Sequence, residues 1–155
     1  MKTILAGVNT HIYIQDAVTI SYHKEEYQIA VDGEIYNEDT IYHQLKQVYP
    51  LQKQTEEIVF YAWKYWGMQA MRHLEGAYTL LIANKKQLLA IKDPMGLRPL
   101  YYTQYNHHLF ISNSIKTLLM ESKQPALLTK DEILELFSFG PGISEDKTLF
   151  HNIYA

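Results

Sequence analysis

Lys92-Asp93-Pro94-Met95-Gly96-Leu97-Arg98-Pro99-Leu100-Tyr101-Tyr102 joins two apolar extended runs through a turn that its own residues specify. Pro94 holds φ near the value a reverse turn needs at its first corner, and Gly96 tolerates a left-handed backbone. Upstream, residues 77–83 and 88–92 read as paired strands across Asn84-Lys85-Lys86. Downstream, residues 100–103 and 109–112 flank the polar loop Tyr105-Asn106-His107-His108, again with the pattern of a hairpin. The second half of the chain thus opens on short strands joined by tight turns.

Further out, strand and helix periods alternate. Within the first 31 residues, Ile4, Ile12, Ile14, Val18, Ile20, Tyr22, Tyr27, Ile29 and Val31 fall at spacings of two, which predicts short extended segments joined by hairpins and ending at the turn-like pair Asp32-Gly33. Segment 39–48 places Ile41, Leu45 and Val48 on one helical face, and Pro50 closes it. A second helix has Thr55 as its cap, Glu56 and Glu57 at its positive end, Ile58, Ala62, Tyr65 and Trp66 as its stripe, and Gly67 as its stop. A short turn of helix at 69–73 leads into Gly76. Ile115, Leu118 and Leu119 mark a third helix, for which Ser112-Asn113-Ser114 offers a cap rather than a catalytic serine, since no Gly-x-Ser-x-Gly surrounds it. Thr129 and Glu132 have the spacing of a capping box before a fourth helix, with Ile133, Leu134, Leu136 and Phe137 expected to face inward and Gly140-Pro141-Gly142 to break it. Strand hairpins interrupted by helices imply an α+β architecture of antiparallel sheets with helices packed outside.

Composition narrows the function classes. The 155 residues are 47% hydrophobic and 20% charged, with seven glycines and five prolines and no linker-like stretch, which fits one domain over residues 1–155. A net charge of -3 without a basic run argues against nucleic acid or an anionic membrane as partner. No cysteine occurs, so this chain holds no disulfide, thiolate zinc site or thiol nucleophile. Residues 1–8 lack the apolar core and cleavage site of a signal peptide, and a cytoplasmic location is expected. The seven histidines show no i, i+4 pair beside a carboxylate, so no metal site is expected.

Several segments, in order, resemble the glutaminase (class II glutamine amidotransferase) domain of the asparagine synthetase family. Val31-Asp32-Gly33-Glu34-Ile35-Tyr36-Asn37 is similar to its Asn-Gly-Glu-Ile-Tyr-Asn run, and His73-Leu74-Glu75-Gly76-Ala77-Tyr78 to its Leu-x-Gly-x-Phe segment. The strongest match is 92–102, similar to Arg-Asp-x-x-Gly-x-x-Pro-Leu-Tyr-Tyr. Ser112-Asn113-Ser114-Ile115-Lys116 stands where the family carries Ala-Ser-Glu-Ile-Lys, and Leu149-Phe150-His151-Asn152-Ile153-Tyr154 resembles the run leading into the synthetase domain. The resemblance implies a four-layer αββα sandwich of the N-terminal nucleophile hydrolases, two antiparallel sheets between helices. In active members an N-terminal Cys attacks the glutamine side-chain amide and its own α-amino group serves as base.

Set against that chemistry, Lys2 stands at the nucleophile position, so no catalytic residue is assigned. Asp32, Gly33, Glu34 and Thr55 are the vestigial glutamine-pocket positions that the resemblance implies. Asp32 replaces an oxyanion-hole Asn with an anion, which would repel the charge developing on a tetrahedral intermediate. Thr55 offers a hydroxyl where the family holds the substrate ammonium with Asp. No Arg precedes Arg72, so the Arg loop that grips the substrate carboxylate is missing. For Asp32-Gly33 a plain turn and for Thr55 a helix cap are the expected structural roles. The reading is a catalytically silent glutaminase-like domain serving as scaffold for an asparagine-synthetase-like ligase domain, in cis or in trans, with a homo-oligomer left open. It takes no cofactor itself; ATP and Mg are expected only in a ligase domain outside these 155 residues. Two rivals are an active glutaminase using Thr3 after trimming and a free-standing binding module. Leu149, Phe150, Ile153 and Tyr154 are expected to need burial against this domain or a neighbouring chain.

Overall fold

The computed structural model describes residues 10–13, 22–84, 87–140 and 147–155. Lys2, Thr3, the extended segments expected around Ile4 and at 14–20, Lys85-Lys86 of one turn and Pro141-Gly142 lie outside them. In chain order the elements are β1 (Thr10–Tyr13), β2 (Tyr22–Lys24), β3 (Tyr27–Ile35), α1 (Glu38–Lys46), α2 (Thr55–Trp66), a 3-10 helix (Gly67–Arg72), β4 (Gly76–Ala83), β5 (Leu88–Lys92), β6 (Tyr101–Tyr105), β7 (His108–Ser112), α3 (Ile115–Ser122) and α4 (Lys130–Phe139). They fall into two structural units, one holding β2 to β5 with α1 and α2, the other β1, β6, β7, α3 and α4.

In the first unit an antiparallel sheet runs in the order β2-β3-β4-β5. Strand alternation sends Ile29 and Ile35 of β3, Tyr78, Leu80 and Ile82 of β4, and Leu89 and Ile91 of β5 to one face. There they share a core with Ile41 and Leu45 of α1 and Ile58, Val59, Phe60 and Ala62 of α2. Each such side chain contributes about 1.5–3 kcal/mol when fully buried, so this cluster is the unit's main source of stability. Burial on α2 departs from the expected stripe. Residues 56–62 are buried all round, while Tyr65 is exposed and turns its ring edge to Tyr49 and Trp66. The first two turns of α2 are enclosed by the core, whereas the last projects beyond it. Val48 is likewise exposed, because α1 ends at Lys46 and the chain turns there, Val48 N–H donating to the Leu45 carbonyl at 3.0 Å.

After β5 the chain is held by Asp93, only 3% exposed. Its Oδ1 accepts from the N–H of Met95 at 2.9 Å and Leu97 at 3.2 Å, and its Oδ2 from Leu97 at 3.0 Å and Arg98 at 3.3 Å. Gly96 N–H closes the expected turn on the Asp93 carbonyl at 3.0 Å, with Gly96 at φ +64°. Burial alone would raise the carboxyl pKa, but the amides of Leu97, Arg98, Met95 and Tyr78 together hold it below its ordinary value.

The second unit is built on the sheet β1-β7-β6. β6 and β7 form an antiparallel hairpin, while β1 lies parallel to β7, from Thr10 opposite Leu109 to Tyr13 opposite Ser112. That parallel pair departs from an all-antiparallel expectation. Parallel neighbours need a long crossover, and alternation within short segments does not reveal which distant strand a segment will join. The hairpin turn is tighter than the expected four-residue loop: Asn106 and His107, at φ +50° and +66°, form a two-residue corner, with Tyr105 and His108 already in the strands.

α3 is capped as expected, Ser114 Oγ accepting from Thr117 N–H at 3.3 Å, and it places Leu118 against Phe110 and Ile153. The last segment folds onto the same unit. Tyr102 and Tyr154 exchange N–H···O bonds of 2.9 Å each and stack their rings, Thr148 Oγ1 donates to the Ile153 carbonyl at 2.8 Å, and Phe150 packs beside the buried Ile153. The apolar run at 149–154 therefore finds most of its burial within its own unit.

α4 follows the expectation only in part: Ile133 and Leu136 are half-buried. Thr129 is its N-cap residue but its side chain makes no cap bond, and Leu134 and Phe137 are 55% and 84% exposed rather than inward-facing.

For the Asp93 clamp, the lowered carboxyl pKa gives a stabilisation that is full above the unfolded value of 3.8 and is lost as pH falls through the lower folded value. Asp93→Asn should cost about 2–3 kcal/mol near neutral pH, from weakened charge-assisted bonds. The gap to wild type should close between about pH 5 and pH 2, as followed by urea melts. A gap independent of pH would show that the carboxylate charge contributes nothing.

Candidate functional site

Asp32, Gly33 and Glu34 sit inside β3, in unbroken register with β4: Asp32 opposite Thr79, Gly33 opposite Tyr78 and Glu34 opposite Ala77. The expected turn at Asp32-Gly33 is therefore replaced by strand. The reason is a close backbone approach at both ends of the pair. Gly33 has φ +111° and a Cβ built on it would lie 2.1 Å from the Ala77 carbonyl oxygen; Gly76, at φ +157°, would put one 2.2 Å from the Glu34 carbonyl oxygen. A sequence signal for a turn, glycine after aspartate, here marks two strands passing too near for side chains.

Alternation along β3 puts Asp32 and Glu34 on the face opposite Ile29 and Ile35. Asp32 pairs in register with Thr79, and Thr79 with Lys92, so a carboxylate, a hydroxyl and an ammonium residue form one row across three strands. Thr79 is buried and its Oγ1 has no hydrogen-bond partner among the described residues. Glu34 is exposed. The row is anionic at the end where the resemblance requires an amide donor.

Thr55 is the first residue of α2, not its cap; Gln54 takes that place and makes no side-chain cap bond. The Thr55 hydroxyl instead donates to Glu38 Oε2 at 2.9 Å. A bond to a charged acceptor is stronger than a neutral cap, which accounts for the choice. Glu38 opens α1, and beside it Lys53 pairs with Asp39 at 2.5 Å, so the two helix starts are tied together. The hydrogen bond from Lys53 holds the Asp39 carboxyl below its ordinary value, and Asp39 raises Lys53 in return. Acidic groups suit these positive helix ends. The Thr55 bond is thus to the start of α1, the helix that follows β3, while Asp32 and Glu34 lie on the sheet face away from α1 and α2.

Two residues matter to which the sequence reading assigned no role, Asn37, quoted only within a motif, and Glu38, not singled out at all. Asn37 Nδ2 donates to the His73 carbonyl at 2.7 Å while its Oδ1 accepts from Glu75 N–H at 3.1 Å, and Tyr36 N–H donates to the Glu75 carbonyl at 2.7 Å. The end of β3 is thereby stitched to the loop before β4, and His73 stacks on Trp66 with ring centroids 4.4 Å apart. Glu38 is the other, since it occupies the hydroxyl of Thr55. Among the described residues no group of three or more His, Cys, Asp and Glu is placed to hold a metal ion. No described helix is long and apolar enough to cross a membrane.

The glycine contact carries a direct consequence. Gly33→Ala should lower stability by about 2–4 kcal/mol, since backbone strain adds to a clash with a carbonyl that cannot swing away. A shift in the urea midpoint worth less than about 1 kcal/mol would mean that β3 and β4 can part there without loss.

Residues 13–155 match the glutamine amidotransferase domain family. Asparagine synthetase [glutamine-hydrolyzing] 1 of Bacillus subtilis is 28% identical over 124 residues, covering 77% of this chain and 20% of that protein. Asparagine synthetase [glutamine-hydrolyzing] 3 of the same organism is 23% identical over 137 residues, covering 86% and 22%. Amidase chry2 of Gibberella zeae is 31% identical over 109 residues, covering 67% and 16%. The chain spans about a fifth of the length of these synthetases. Among solved structures, the glutamine phosphoribosylpyrophosphate amidotransferase of B. subtilis, complexed with ADP and GMP, superposes with a TM-score of 0.50 at 22% identity, over 55% of this chain and 22% of that one. That likeness shows the fold alone, an α+β arrangement of helices and largely antiparallel sheets. With a match covering nearly its whole length, the chain belongs to the glutamine amidotransferase domain family.

Proposed function

We propose that this chain is a catalytically silent glutamine amidotransferase domain that acts as the scaffold of an ATP-dependent, amide-forming ligase domain. The observation that carries the reading is Asp32, a carboxylate set in regular strand where the family's chemistry calls for an amide donor. An oxyanion forming beside it would be repelled, and the loss of even one oxyanion donor costs about 10²–10³ in rate. Thr55 supports the same reading, because its hydroxyl is engaged by Glu38 and carries no charge for a substrate ammonium. So do the absence of cysteine and of any arginine before Arg72.

The pattern of what is kept adds weight. Asn37, Asp93 and Gly76, all within the family-like segments, hold backbone in place. The positions that differ are those whose family role is chemical. A fold maintained without its chemistry serves as a surface. Relatives about five times as long, named as glutamine-hydrolyzing asparagine synthetases, support a ligase domain as the partner, in cis or in trans. In this scheme ATP and Mg²⁺ bind the ligase domain, a carboxylate is activated there, and an amine of the substrate itself replaces ammonia.

The purified chain is expected to release no ammonia from L-glutamine above buffer background, measured by a coupled dehydrogenase assay. Lys2→Cys should not restore the reaction, because a returned thiol would still lack the charged anchors that orient glutamine. Saturable turnover in the wild-type chain, abolished by blocking its N-terminus, would falsify the silent reading. Turnover in the Lys2→Cys variant alone would show that the glutamine pocket survives and that only the nucleophile is missing.

A further inference from the structure

α4 is the one helix of the second unit with no described side chain buried. Leu134 and Phe137, one turn apart, are 55% and 84% exposed, and Phe139 at the helix end is 77% exposed. A ten-residue helix is marginal in isolation, and helices in proteins draw most of their stability from burying an apolar stripe. α3 follows that rule by seating Leu118 in the core; α4 half-buries only Ile133 and Leu136 of its apolar residues and leaves Leu134, Phe137 and Phe139 exposed. Just before α4, Leu127 and Leu128 are exposed as well. Apolar surface of this kind marks an interaction site once it exceeds the roughly 300–600 Å² that monomers show.

The covering partner is indicated by where α4 is anchored. The residues leading into it are hydrogen-bonded to the last segment: Thr129 N–H donates to the Leu149 carbonyl at 3.0 Å, and His151 N–H to the Leu127 carbonyl at 2.8 Å. Leu128 and Phe150 form a bridge between the same stretches. That last segment resembles the run that leads into the synthetase domain, and the synthetases that match this chain carry about four-fifths of their length outside the matched region. A domain reached through this segment would start beside α4.

Resting on the ligase-partner reading above, we infer that the apolar ridge of α4, centred on Leu134 and Phe137, is the surface on which the ligase domain docks. The apolar end at Phe150 and Tyr154 is not that surface. Phe150 packs beside the small core of Phe110, Leu118 and Ile153, and Tyr154 is paired with Tyr102. A helix presenting the exposed aromatics Phe137 and Phe139 with Leu134 has the form of an interface anchor, which a partner pocket would desolvate.

The test titrates the 155-residue chain with the ligase domain encoded in the same reading frame or in the adjoining gene, by calorimetry and co-purification. Leu134→Gln/Phe137→Gln is the interface variant, because glutamine keeps helix propensity while removing the apolar ridge. Wild type should bind in a 1:1 ratio, and the variant should bind at least about tenfold more weakly with an unchanged melting temperature. Phe150→Ser is the contrasting variant, expected to lower the melting temperature because it loosens the core. Equal binding by wild type and the Leu134→Gln/Phe137→Gln variant would overturn the docking surface while leaving the ligase partner standing. No binding by wild type would remove the partner reading itself, and this inference with it. A wild-type chain that sediments alone as a dimer, converted to monomer by the double variant, would assign the ridge to a second copy and also overturn the proposal.

Discussion

Two backbones that approach within a carbonyl's reach of each other organise the first structural unit. β3 and β4 share an eight-residue register in which Gly33 faces Tyr78 and Gly76 faces Ile35, and neither glycine has room for a Cβ. Because that register is set, one face of β3 must point at α1 and α2 and the other must carry Asp32 and Glu34. A slip of one residue would bring Asp32 and Glu34 to the core and expose Ile29 and Ile35, an exchange that the hydrophobic cluster forbids. The polar row of Asp32, Thr79 and Lys92 is therefore a consequence of the core on the opposite face.

Around this pairing the segments that resemble the family act as fasteners. Asn37 bridges the end of β3 to the loop before β4 with both polar atoms of its amide. Asp93 gathers the amides that follow β5, and its low pKa reflects how fully those donors offset its burial. Neither residue needs a substrate to explain its place. Within a single motif, Asp32-Gly33-Glu34-Ile35-Tyr36-Asn37, the glycine and the asparagine hold backbone, whereas Asp32 and Glu34 place their side chains on the face away from the core.

The second unit solves its packing differently. A two-residue corner at Asn106-His107 closes its hairpin, a parallel strand completes its sheet, and the final segment supplies Ile153 to a core too small to be built from α3 and β7 alone. α4 stays outside that core. Of its apolar residues, Ile133 and Leu136 are half-buried, whereas Leu134 and Phe137 are exposed.

By itself the sequence determined most of the elements and the family. Local signals did this: apolar spacing of two and of three to four residues, Pro94 and Gly96 in a turn, Ser114 ahead of α3, and motifs in the family's order. It could also show that cysteine and an early arginine are missing, since those are facts of composition. Only the tertiary structure decided that Asp32-Gly33 is strand, that Thr55 serves Glu38 instead of capping its helix, that β1 lies parallel to β7, and that Leu134 and Phe137 face outward. Each of these depends on which distant backbone or side chain arrives next to a residue. Periodicity and propensity describe a segment's own preferences; a close glycine contact, a charged acceptor seventeen residues away or a core filled from another part of the chain overrides them.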